Sequence, residues 1–83
     1  MFLEVVTPTK KVFAGEVSIV TFPGVDGSFQ VMNDHAPIVS TLKKGELVYK
    51  VAKGGEDGVE ITGGVVEVLN NRIVVLADGL VEA

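Results

Sequence analysis

The sequence has no cysteine, no tryptophan, three prolines, one histidine and one tyrosine. Without cysteine, no disulfide framework and no thiolate metal site can support the fold. Basic charge is also scarce: seven Lys and Arg stand against eleven Asp and Glu, for a net charge of −4 and a pI near 4.8. A nucleic-acid surface needs a basic face, so that function class is excluded. No apolar run approaches the ~20 residues of a membrane-spanning helix. The opening Met1–Val6 lacks a basic start and carries Glu4, which is unlike a secretory signal. No capped stretch has apolar residues spaced by three and four, so no substantial helix is expected. The default is a soluble cytoplasmic domain that reaches a membrane only through a partner.

What the chain does have is valine between glycines. Its 83 residues make one domain, residues 1–83, and 47% of them are hydrophobic. A domain this small buries only about 60% of its unfolded surface, so it needs that apolar content to fold alone. Valine is stiff at its first torsion and suits a pleated surface. Ten glycines, with Pro, Asn and Asp residues, cut the chain into short runs. The pattern predicts an all-β fold, a flattened antiparallel sandwich of two sheets with about nine to ten strands.

The expected strands are Phe2–Thr7, Val12–Ala14, Glu16–Phe22, Gly27–Met32, Ala36–Leu42, Glu46–Lys53, Val59–Thr62, Val65–Leu69 and Arg72–Ala77. Gly15 ends the second, Pro23-Gly24 ends the third, and Gly54–Gly58 reads as a hairpin loop. Leu47, Tyr49 and Val51 mark one buried face, with Glu46, Lys50 and the small Ala52 on the other. Val65–Leu69 and Ile73–Ala77 break that rule, being apolar on both faces. Either they are central strands twisted into the core or covered by a loop, or their outer face is covered by a partner.

Pro23–Pro37 is the least regular stretch and the first place to look for a working edge. His35 is the obvious candidate base, but Asp34 is its sequence neighbour and would point away in extended chain. No nucleophile elbow surrounds Ser28 or Ser40. Asp26, Asp34 and His35 match no metal-ligand spacing, and Asp26-Gly27 reads as a turn. Gly54–Gly58 is glycine-rich but acidic, with no helix after it to cradle phosphate. Lys43-Lys44 in a turn admits an alternative, a small β-sandwich carrier domain with a covalent cofactor on Lys43 or Lys44. The residues alone therefore describe a binding or coupling module: no catalytic residues, no cofactor and no metal.

The order of motifs resembles a known family. Leu3–Pro8, Val12–Val17, Gly27-Ser28-Phe29, His35–Val39, Leu42-x-x-Gly45, Thr62–Val68 and Val74–Asp78 follow one another with consistent spacing over nearly the whole chain. Together they resemble the N-terminal domain of the ε subunit of F-type ATP synthase, called δ in mitochondria. The resemblance implies a ten-stranded β-sandwich in the central stalk. It implies a non-catalytic rotor part that ties the γ subunit to the c-ring and, through γ, to the catalytic head. Ion-driven rotation of the ring then turns γ within that head. The location implied is peripheral, on the cytoplasmic side of the bacterial inner membrane.

By position, the resemblance assigns the c-ring contact to Asp26, Gly27, Ser28, Asp34 and His35. Many members carry an acid directly after the glycine, where this chain has Ser28, so Asp26 or Asp34 would supply the charge. The apolar outer face would suit γ, with its contact residues unknown. Most bacterial members continue past the Leu-Ala-Asp strand into two helices that restrain hydrolysis and in some members bind ATP. This sequence stops at Ala83, so the resemblance implies coupling without inhibition or ATP binding by that hairpin.

Overall fold

The structure is a computed structural model and describes residues 1–81. Eight strands account for the fold: β1 Phe2–Val6, β2 Lys11–Gly24, β3 Gly27–Met32, β4 Ile38–Leu42, β5 Gly45–Val51, β6 Glu56–Ile61, β7 Gly64–Leu69 and β8 Arg72–Ala77. They form one hydrogen-bonded path, β1-β8-β7-β4-β2-β5-β6, with β3 beside β2 and β1 also paired to β2.

The path makes two layers because β2 belongs to both. Its first half pairs with β1, from Val6 opposite Lys11 to Phe2 opposite Glu16. Its second half lies between β3 and β5. The register slips between Val17 and Ile19, leaving Ser18 as the extra residue. A bulge of this kind bends a strand and raises its twist, which carries β2 from one layer into the other. The far end of β2 then meets β4, Gly24 opposite Leu42.

This strand is the main departure from the sequence reading. Two strands ending at Gly15 and Phe22 are expected, but Lys11–Gly24 is continuous, so eight strands stand where nine to ten are expected. Gly15 stays in the ladder opposite Leu3. A Cβ there would lie 3.1 Å from the Phe13 ring, so the aromatic covers the glycine from two residues away and restores its packing. The order is not wholly antiparallel either: β1 runs parallel to β8, Phe2 opposite Arg72 through Val6 opposite Leu76. A pairing between strands from the two ends of the chain leaves no local turn signal to read. Glu56, Asp57 and Gly58 belong to β6 rather than to the preceding loop. Asn70 and Asn71 both take left-handed φ, 51° and 60°, in the two-residue β7–β8 turn, the backbone that a type I′ hairpin demands.

Inward residues from all eight strands fill the space between the layers. Leu3, Val5, Val20, Phe22, Val31, Leu47, Ile61, Val66, Ile73 and Val75 are fully buried. Phe22 stacks on Phe29 with centroids 5.3 Å apart, and Phe13 on Tyr49 at 4.3 Å. No polar or charged residue is buried among the described residues. After β8 the chain crosses to the edge of β6: Leu80 bridges Ile61 and the Val81 N–H donates to the Glu60 carbonyl. The expectation that no helix follows falls partly on Glu82 and Ala83, outside the described residues.

Candidate docking face

β7 alternates without exception. Gly64, Val66 and Val68 point into the core, while Val65, Glu67 and Leu69 point out. On β8, Ile73, Val75 and Ala77 point in, while Val74 and Leu76 face the other side. The two strands that read as apolar on both faces thus have one face in the core and one in the open. Among the described residues no loop covers the outer face: Leu76 is 56% exposed, Leu69 49% and Val65 40%.

The register extends this surface across four strands. Thr41, Val65, Leu76 and Val6 form one transverse row. Val39, Glu67, Val74 and Glu4 form the next, and Val39 is 69% exposed. Leu69, Arg72 and Phe2 form the third. Val39, Val65, Glu67, Val74 and Leu76 line a shallow depression of about 150 Å³. Singly exposed apolar side chains are ordinary, but a contiguous grid of them marks an interaction surface.

The charges on this face are not alike. Glu4 is held by Lys11 at 3.1 Å and Arg72 at 3.6 Å. Arg72 also lies over the Phe2 ring, 5.1 Å from its centroid. Glu67 has no ion pair and no hydrogen bond among the described residues.

The residues assigned to the c-ring fall into two groups. Asp26 lies in the two-residue β2–β3 turn, with Gly27 and Ser28 opening β3 opposite Gly24 and Pro23. Gly27 has φ 123°, a conformation that L side chains rarely adopt. Asp34 and His35 follow the other end of β3, roughly 17 Å away at the rise of an extended strand. There Asp34 and Asn71 grip each other. The Asp34 N–H donates to Asn71 Oδ1 at 2.6 Å, and Asn71 Nδ2 donates to Asp34 Oδ1 at 3.1 Å. This clamp ties the β3–β4 loop to the β7–β8 turn and accounts for the left-handed φ of 63° at Asp34. His35 Nδ1 donates to the Ala36 carbonyl at 2.7 Å. No hydrogen bond joins His35 to Asp34, Ser28 or Ser40 among the described residues. Within the same residues no three of His, Asp or Glu gather to hold a metal. Lys43 and Lys44 form the exposed β4–β5 turn.

Sequence reasoning left the face residues unnamed. The doubled apolar pattern of β7 and β8 was their signal. Val39 gave none, because only the β4–β7 register brings it beside Glu67.

A small β-sandwich that keeps one sheet face open and apolar has the architecture of a docking module. The family described as ATP synthase, Delta/Epsilon chain, beta-sandwich domain matches residues 1–83, and the chain belongs to it. The ATP synthase epsilon chain of Chlorobium limicola is 42% identical over 76 residues, spanning 92% of this chain and 86% of that relative. The epsilon chain of Desulforamulus reducens is 48% identical over 77 residues, again 92% of this chain but 57% of the relative. Among solved structures, a chain of the Euglena gracilis mitochondrial ATP synthase (OSCP/F1/c-ring, rotational state 1) superposes with a TM-score of 0.85 at 20% identity. It covers 95% of this chain and 51% of that one. A central stalk/c-ring chain of Tetrahymena thermophila gives 0.80 at 23% identity, covering 98% and 65%. These comparisons lend the carrier-domain reading no support.

Proposed function

We propose that this chain is a non-catalytic rotor subunit of an F-type ATP synthase, seated on γ through the outer face of β4, β7 and β8. Its loops at the ends of β3 face the c-ring, peripheral to the membrane on the cytoplasmic side. Within the complex it couples ion-driven ring rotation to γ. The observation that carries this reading is the open grid of Val39, Val65, Leu69 and Leu76 in a member of this family. A subunit that turns with γ must grip it over a broad surface, and this face runs across four strands.

Val39→Asp and Leu76→Asp test the seat. Each places a carboxylate where docking excludes water, which costs about 3 kcal/mol or more, a ~100-fold loss of affinity. Catalytic head depleted of its own ε but retaining γ is the binding partner. The variants are expected to fold, bind weakly and fail to restore ATP-driven ion pumping. Wild-type binding by both would remove the face from the seat.

The absence of native cysteine allows single-cysteine cross-linking at the ring. Asp26→Cys and His35→Cys report the two ends of β3 separately. Cross-linking to the c subunit from either end supports the ring contact and says which end approaches. No product from either, in a fully coupled complex, contradicts it.

A further inference from the structure

The charges of the outer face carry one more step, which rests on reading that face as the seat of γ. Glu4 of β1, Lys11 of β2 and Arg72 of β8 already satisfy one another. Glu67 does not share in this. Val39 and Val74 stand directly across from it on the neighbouring strands, and Val65 and Leu69 flank it along β7. Arg72, one diagonal away in register, is turned instead toward Phe2 and Glu4. A lone carboxylate thus sits in the middle of the apolar grid.

Any partner that covers Val39, Val65 and Leu76 also strips water from Glu67. A carboxylate desolvated without a counter-charge opposes docking strongly. In the free subunit the same carboxylate is open to water and costs nothing. The occupant must therefore bring the missing charge with it.

We propose that Glu67 is the specificity-determining anchor of this face. The γ surface that covers it is apolar around its rim and presents one cationic side chain, Arg or Lys, to the Glu67 carboxylate. An arginine would meet both carboxylate oxygens at once. The valines supply contact that many apolar surfaces could share. Glu67 rejects those without a cation at the matching place, because an unpaired buried charge penalises the wrong partner. It also sets register, since only one placement of the partner brings the cation over β7.

The test measures binding of the full chain to catalytic head depleted of ε and retaining γ. Wild type, Glu67→Gln, Glu67→Lys and Val39→Asp are compared after thermal unfolding confirms that each is folded. Glu67→Gln is expected to weaken binding about 30-fold or more, the usual loss when one partner of a desolvated charge pair is removed. Glu67→Lys is expected to weaken it further. Val39→Asp should weaken it about 100-fold or more. If Val39→Asp weakens binding by that much while Glu67→Gln binds like wild type, the anchor is wrong and the seat stands, whatever Glu67→Lys does. If Val39→Asp binds like wild type, the seat itself is wrong and the anchor falls with it.

Discussion

Gly64 offers the sharpest test of how this face is held in shape. It opens β7 opposite Ala77 of β8, with φ 153°. A Cβ at this position would collide with the Leu76 carbonyl oxygen. It would also lie 2.9 Å from the Ala77 Cα and 3.1 Å from the Leu76 carbonyl carbon. All three are backbone atoms, so no rotamer can relieve the contact. Gly64→Ala therefore carries two costs. The unfavourable dihedral costs about 1–3 kcal/mol, and the forced backbone shift about 1–3 kcal/mol more. The sum, about 2–6 kcal/mol, compares with a whole-domain stability of about 4–12 kcal/mol at this length. Gly27 is the internal control. Its φ is 123°, but an added Cβ meets nothing within 4 Å, so Gly27→Ala bears the dihedral cost alone. Thermal unfolding of both variants separates the terms, since 1 kcal/mol shifts the midpoint by about 4–8 °C in a domain of this size. Gly64→Ala should melt well below Gly27→Ala, which in turn should melt below wild type. Equal midpoints for the two variants would refute the claim that close approach of β8, rather than φ, demands glycine at position 64.

Three further outcomes are expected. Phe22→Ala removes a fully buried ring stacked on Phe29 and should cost about 3–5 kcal/mol, read as a large drop in the denaturant midpoint. Burial, reinforced by the nearby Asp57 charge, raises the Tyr49 hydroxyl above its ordinary pKa of 10.0. The unfolded chain then loses that proton first, so stability should fall as pH rises from 10 toward the folded value. Since Tyr49 is the only tyrosine, tyrosinate absorbance should titrate at higher pH in the native protein than in denaturant. Finally, residues 1–83 added to ε-depleted enzyme should restore ATP-driven ion pumping, and hydrolysis that stays uncoupled in a pumping assay would overturn the rotor reading.

The chain by itself determined its class. Alternating valines, glycine punctuation and the lack of any helical spacing specify short strands, and a period of two specifies which side chains enter the core. Leu47 and Tyr49 were legible for that reason, and so was the Asn70-Asn71 turn, because both signals are local. The doubled apolar pattern of β7 and β8 also announced an outer face but left two meanings open. Register between distant strands decided the rest. It runs β1 parallel to β8, carries β2 through Gly15 into the second layer, and lines up Val39, Glu67 and Val74 in one row. The separation of Asp26 from His35 by the length of β3 was legible, because the strand Gly27–Met32 is expected from the sequence. The rows across β4, β7, β8 and β1 were not. Only long-range backbone pairing sets them, because its partners are chosen by the closed core rather than by any residue's own preference.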